Sequence, residues 1–186
     1  MAVCLTEFVA LYKIDVTGKL ELLLKVQGDF LDKDPSLNQC VLSRGVMVTG
    51  GDDCKVRMYS IKDKSHKEIV KTIELPPGPT LPVTGVDISA DMTRVVASSK
   101  DTNCYIYDVK SKTLLDKVCF KYTPEAKNMV MRACCFHDDN SVYTLCTQPR
   151  EPTFIVKWRQ QGKNFQPDRT GQVHLKSSTG MRLSPD

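Results

Sequence analysis

Several things are scarce in this 186-residue chain, and each absence removes a class of protein. No run approaches 18 uninterrupted apolar residues, so the stretch does not span a membrane as a helix. Residues 1–10 lack a basic flank and are broken by Thr6 and Glu7, so they do not read as a signal peptide. No long segment sustains a 3.6-residue apolar period, which excludes a predominantly helical fold. Neither C-x-x-C nor a Cys/His pair at ligand spacing occurs, which argues against a zinc site or a disulfide framework. Concentrated basic charge is also missing. Lys and Arg total 26 against 22 Asp and Glu, and the densest basic stretch, residues 61–71, also carries Asp63 and Glu68. A nucleic-acid partner is therefore not expected.

What is present is a globular balance, with 41% apolar and 26% charged residues. Seven of the eight cysteines (Cys40, Cys54, Cys104, Cys119, Cys134, Cys135 and Cys146) fall in or beside apolar runs. That is where cysteine serves as a small apolar side chain in a reducing compartment, so a cytosol-facing chain is expected.

Period-2 alternation dominates, in short strands separated by turn residues. Residues 83–89, 94–99, 104–109 and 114–121 read as four antiparallel strands joined by tight polar turns. Upstream, residues 39–42, 46–49, 55–61 and 69–75 repeat the unit, and Tyr59 aligns with Tyr107 at a spacing of 48. Downstream it recurs at 131–137, 142–147, 154–158 and a looser stretch at 172–175. Before these, residues 8–14 and 20–26 form two strands around a turn at 15–18; after them, residues 180–186 begin a further unit. Four strands per repeat of roughly 40–50 residues is the signature of a WD-repeat β-propeller. A β-sandwich also has short strands at regular spacing, but it would not repeat one unit in register.

The expected fold is therefore all-β, a partial propeller of about three and a half blades. Its divisions are 1–36 (end of a blade), 37–80, 81–125 and 126–176 (one blade each) and 177–186 (start of another). An arc of this kind has two raw edges, and alone it is expected to aggregate.

Candidate chemistry is thin. Gly50-Gly51-Asp52-Asp53 lacks the Gly-Lys-Ser/Thr of a phosphate loop and reads as a turn in which Asp53 accepts backbone amides, as does Asp101 one repeat later. His137-Asp138-Asp139-Asn140 matches the turn at residues 89–92, and His66 and His174 have no partner at ligand spacing. Trp158, Tyr105, Tyr107 and Tyr143 follow the strand alternation as packing residues. No catalytic, cofactor-binding or metal-binding residue is assigned, and a binding protein rather than an enzyme is expected.

Three phrases go further than a generic repeat: Arg132-Ala133-Cys134-Cys135-Phe136, then residues 142–150 (VYTLCTQPR), then Phe154-Ile155-Val156-Lys157-Trp158, with Asn164-Phe165 beyond. Together with residues 48–59 and 86–108, this series resembles the propeller of the prolactin regulatory element-binding protein family, endoplasmic-reticulum exchange factors for Sar-family small GTPases. The resemblance spans about residues 8–186 at low identity. It implies a seven-bladed propeller on the cytosolic face of the endoplasmic reticulum, anchored by one transmembrane helix beyond Asp186. It also implies ejection of GDP from the GTPase that starts COPII coat assembly. In that family the exchange element is a Gly-rich loop with Lys and Asn, ahead of the strand resembling residues 8–14. Residues 1–7 contain no such loop, so no catalytic residue is carried over. The alternative is a cytoplasmic WD-repeat scaffold that binds other proteins through its propeller faces.

Overall fold

The computed structural model describes residues 2–4, 8–27, 37–61, 69–121, 123–124, 127–150, 152–173 and 180–182. Every regular element among them is a β-strand, and all pairing is antiparallel. The first sheet contains β1 (Ala2–Cys4), β2 (Phe8–Ile14) and β3 (Leu20–Gln27). The second is built from β4 (Leu37–Ser43), β5 (Val46–Gly51), β6 (Val56–Ile61) and β7 (Ile69–Glu74). The third has β8 (Val83–Ile88), β9 (Arg94–Ser99), β10 (Asn103–Asp108) and β11 (Thr113–Cys119). The fourth has β12 (Val130–Asp138), β13 (Ser141–Thr147), β14 (Thr153–Gln161) and β15 (Asn164–Val173). In every sheet the strands are ordered as they occur in the sequence, so each is a simple meander. Stacked face to face, the sheets form an arc of a WD-type β-propeller.

Local chemistry sets the turns. Between β4 and β5 both central residues, Arg44 and Gly45, have positive φ, the two-residue hairpin geometry that matches strand twist. Between β2 and β3, Asp15 Oδ1 accepts the amides of Thr17 at 2.8 Å and Lys19 at 2.9 Å, and Gly18 supplies φ +82°.

The structure departs from the strand reading in three places. Residues 2–4 pair with β2, so the first sheet has three strands where two are expected. β1 abuts β4 just as β5 abuts β8 and β9 abuts β12, which makes β1 a second strand of its sheet. The fourth strand of the last sheet starts at Asn164, directly after the Gly162 turn, and not near residue 172. Its polar sequence and Pro167 obscure it. As an outer edge strand it buries only Phe165, and Pro167 sits beside a bulge where a ladder amide is dispensable. Residues 180–182 carry no strand; Arg182 instead reaches Asp87 Oδ1 at 3.4 Å and the Cys40 carbonyl at 3.3 Å, across β8 and β4. The remainder of the expected further unit, 177–179 and 183–186, lies outside the described residues.

Each junction between sheets is an apolar core. In the second strands, neighbouring residues point to opposite neighbours. Met47 and Tyr59 pack back toward the first sheet with Val9 and Leu11, while Val48 and Met58 pack forward with Val95 and Tyr107. Val96 and Ile106 then pack forward with Val142, Val156 and Trp158. Burial on both faces explains why β5 and β9 place apolar residues side by side, Met47 with Val48 and Val95 with Val96. At the inner edge, bulges in β4, β8 and β12 extrude Asn38, Thr84 and Arg132. Two of these side chains tie their sheet to the next: Asn38 Nδ2 donates to the Val83 carbonyl at 2.9 Å and Thr84 Oγ1 to the Met131 carbonyl at 2.7 Å.

Tyr59, Tyr107 and Trp158 occupy one position in successive sheets, yet their polar atoms differ. Trp158 Nε1 donates to Thr144 Oγ1 at 2.8 Å. In the third sheet the residue corresponding to Thr144 is Ala97, and the buried Tyr107 hydroxyl finds no hydrogen-bond partner among the described residues. Urea unfolding of the two variants separates these cases. Tyr107→Phe is expected to leave stability unchanged or raise it by up to ~1 kcal/mol, whereas Trp158→Phe loses ~2 kcal/mol through a lost bond and a void. Equal losses would show that the Tyr107 hydroxyl is paired after all.

Candidate interaction surface

Because the strands run up and down, turns between second and third strands share one rim with the linkers that join consecutive sheets. This rim repeats a single device. Cys54, Thr102 and Arg150, spaced by 48 residues, all adopt positive φ (64°, 75° and 67°). Ahead of the first two stands an aspartate that accepts the amide two residues on: Asp53 Oδ1 from Lys55 at 3.2 Å and Asp101 Oδ1 from Asn103 at 3.1 Å. The other carboxylate oxygen reaches the side chain four residues on. Asp53 Oδ2 lies 2.6 Å from Arg57 Nη1, and Asp101 Oδ2 accepts the Tyr105 hydroxyl at 2.8 Å. The third repeat has Pro149 in place of the aspartate and lacks the device.

Between these turns runs the linker 75–82 (LPPGPTLP), whose four prolines make it stiff. Gly78 lies against two tyrosines: a Cβ there would collide with the Tyr107 hydroxyl and come within 2.8 Å of Tyr105 Cδ1. Thr80 donates its amide to Asp101 Oδ2 at 2.7 Å, which fixes the linker to the rim. Leu81, 48% exposed, projects from this stiff loop. Around it the rim is charged and internally paired: Lys55 contacts Glu74 at 3.1 Å, and Arg57, 8% exposed, bridges Asp53 and Glu74. An apolar side chain on a rigid, polar-rimmed loop can anchor another protein.

Burial opposes ionisation of Asp101, but the bonds from Thr80, Tyr105 and Asn103 outweigh it and hold its carboxyl below the usual range. Burial, followed by the charges of Asp53, Asp101 and Asp52, pushes the Cys54 thiol up, which disfavours its thiolate form.

The opposite rim is also knitted together. Ser89 Oγ donates to Asp91 Oδ1 at 2.6 Å, the Asp91 amide reaches Asp139 Oδ1 at 3.2 Å in the next sheet, and Arg94 Nη1 donates to the Asp139 carbonyl at 2.6 Å. His137 is the extra residue of a bulge; it meets Tyr143 edge-on, with centroids 5.4 Å apart. Its neighbour Asp138 is occupied by the Asn140 amide and the Ser141 hydroxyl, which overcome the effect of burial and lower its pKa. His137–Asn140 is thus a turn. His66 and His174 lie outside the described residues. Among the described residues no three His, Cys, Asp or Glu side chains converge as metal ligands, and no helix is long and apolar enough to cross a membrane.

Comparison with known proteins agrees with the fold. Residues 67–108 match the WD domain, G-beta repeat family. That stretch begins at the outer strand of one sheet, β7, and runs through β8, β9 and β10 of the next, so the sequence repeat bridges two blades. No curated protein matches the chain. Among solved structures it is similar to the computationally designed Ika8 protein, with a TM-score of 0.61 and 15% identity over 99% of this chain and 52% of that one. The chain spans about half that protein's length, and the likeness concerns the fold alone.

Asp101 is the rim's most connected carboxylate, and its removal is expected to be felt locally and globally. Asp101→Ala should cost ~1–2 kcal/mol, allowing for its partial exposure, and Asp101→Asn less. Because the folded carboxyl is held below its unfolded value, its contribution is complete above the ordinary aspartate range and fades as pH falls through the lowered value. Thermal melts between pH 7 and about pH 3 should therefore show a shallower acid slope in Asp101→Asn than in the wild type.

Proposed function

We propose that this chain serves as part of a protein-interaction scaffold, acting by binding and not by turnover, and that the rim around Leu81 is a contact surface. The observation that carries the reading is the linker 75–82: an exposed leucine held by prolines, by Gly78 on the two tyrosines and by the Thr80–Asp101 bond. WD repeats generally mediate protein–protein contacts, which agrees with the matched repeat at residues 67–108.

A finer reading rests on the fourth sheet. The three phrases that resemble the Sar-type exchange factors fall on β12, β13 and the start of β14, three consecutive strands of one blade. On this reading the complete protein faces the cytosol at the endoplasmic reticulum and activates a Sar-family GTPase for COPII assembly, with this chain supplying part of the platform. Such a factor breaks no covalent bond. It binds the nucleotide-free GTPase more tightly than the loaded form and thereby weakens nucleotide affinity by the same factor.

Both readings are tested by mixing the complete cytosolic region with a Sar-type GTPase loaded with fluorescent GDP. Accelerated GDP release is the expected result, and Leu81→Asp should weaken association by roughly tenfold without moving the melting temperature. Association without release would leave a scaffold only. Neither association nor release would end the exchange-factor reading.

A further inference from the structure

Outside the first sheet and Leu81, the exposed large apolar side chains among the described residues are two neighbours, Leu114 and Leu115, 38% and 40% exposed. They follow Thr113 at the start of β11, the outer strand of the third sheet. Leu114 and Lys117 stand opposite Tyr107 and Tyr105, so both lie on the face turned toward the second sheet. On the facing side, the outer strand β7 carries Lys71 and Ile73 opposite Ser60 and Met58, on the face turned toward the third sheet. Ile73 is partly buried against the core that the two sheets share.

On its other side β11 is fastened: the Phe165 amide at the start of β15 donates to Asp116 Oδ2 at 2.5 Å. No hydrogen bond or ion pair joins β7 to β11 among the described residues. The gap between them is cationic. Lys71, Lys110, Lys112 and Lys117 are exposed, and none has an acid partner among the described residues. The neighbouring acids are engaged elsewhere. Asp108 Oδ1 accepts the Ser111 amide at 2.6 Å and its hydroxyl at 2.7 Å, Asp116 Oδ1 accepts the Lys117 amide at 2.8 Å, and Glu74 pairs with Lys55 and Arg57.

We propose that an extended segment of a partner protein adds to the third sheet as a fifth strand along β11, with apolar and acidic side chains two residues apart facing the gap. β11 pairs with β10 alone, so its outer row of amides and carbonyls is open to such a strand. The apolar side chain covers Leu114 and Ile73, and the carboxylate meets Lys117 and Lys71. Lysine on an edge strand repels basic chains, so the groups that discourage unspecific pairing also select an acidic partner. Both sheets that border the gap are packed on each side within the arc or by one another, so the surface owes nothing to the arc's end faces. It also lies on the outer circumference, apart from Leu81, and is tested separately from that contact.

Fluorescence anisotropy on the complete protein tests the proposal. The probe is a short labelled peptide in which threonine alternates with valine and glutamate in turn, so that valine and glutamate share one face. It is expected to bind, and the same peptide with lysine for glutamate is not. Leu114→Asp is expected to weaken binding by roughly tenfold at an unchanged melting temperature. Combining Lys71→Glu with Lys117→Glu should reverse the preference toward the lysine peptide, a result that misfolding could not produce. Methylating the peptide's threonine amides or its valine and glutamate amides should abolish binding in one case only, because an added strand donates from alternate residues. Lack of binding, no discrimination between the peptides, an unreversed preference, or indifference to methylation would each overturn the proposal. So would equally strong binding of polyglutamate or of phosphatidylserine vesicles, which would show a general anion surface.

Discussion

A four-stranded sheet has two faces and no interior, and everything else in this molecule follows from how those faces are covered. The second and third sheets succeed because neighbouring residues of one strand serve different cores: Met47 looks back and Val48 forward, Val95 back and Val96 forward. Removing the second or the third sheet would expose two apolar surfaces at once, so stability belongs to the stack and not to the blade. The cysteines share in this packing. Cys104, Cys134 and Cys146 fill the junction between the third and fourth sheets as free thiols, and burial pushes Cys146 up to about 12, far from reactivity.

Polar groups act where apolar packing ends. One geometric task, holding a left-handed turn residue at the rim, is met by an aspartate and a partner four residues later. In the second sheet that partner is Arg57, in a largely buried ion pair; in the third it is the Tyr105 hydroxyl. The side chain differs while the position is kept, because the turn requires an anchor and not a particular chemistry. The inner edge shows the same economy: Asn38 and Thr84, extruded by equivalent bulges, each donate to a carbonyl of the next sheet. Burial raises the pKa of Asp87 on β8, against the Phe136 amide and Arg182 that lower it. Asp87 therefore favours the folded state at low pH and loses that contribution as pH rises through its raised value, opposite in sign to Asp101.

These constraints produce a surface suited to recognition. The two rims are tied within and between sheets, so a side chain displayed on them, such as Leu81, is presented with little entropy left to lose on binding. That is a physical basis for a scaffold, and it is independent of whether a GTPase or another protein is the partner.

The alternation of apolar residues, the polar turns and the 48-residue spacing of Tyr59 and Tyr107 determined the strands, their antiparallel order and the propeller class, because these depend on local chain geometry. The same information identified Asp53 and Asp101 as turn residues. It did not reveal β1 or the extent of β15. An outer edge strand buries one face at most, so Pro167 and its charged neighbours cost little and the alternation fades. Tertiary structure alone decided which residue of each pair faces which neighbour, why Tyr107 lacks the partner that Trp158 finds in Thr144, and how Gly78 and Thr80 hold Leu81 outward. Those outcomes depend on contacts between residues that only the stacking of sheets brings together, and a strand's own pattern carries no record of what will lie across from it.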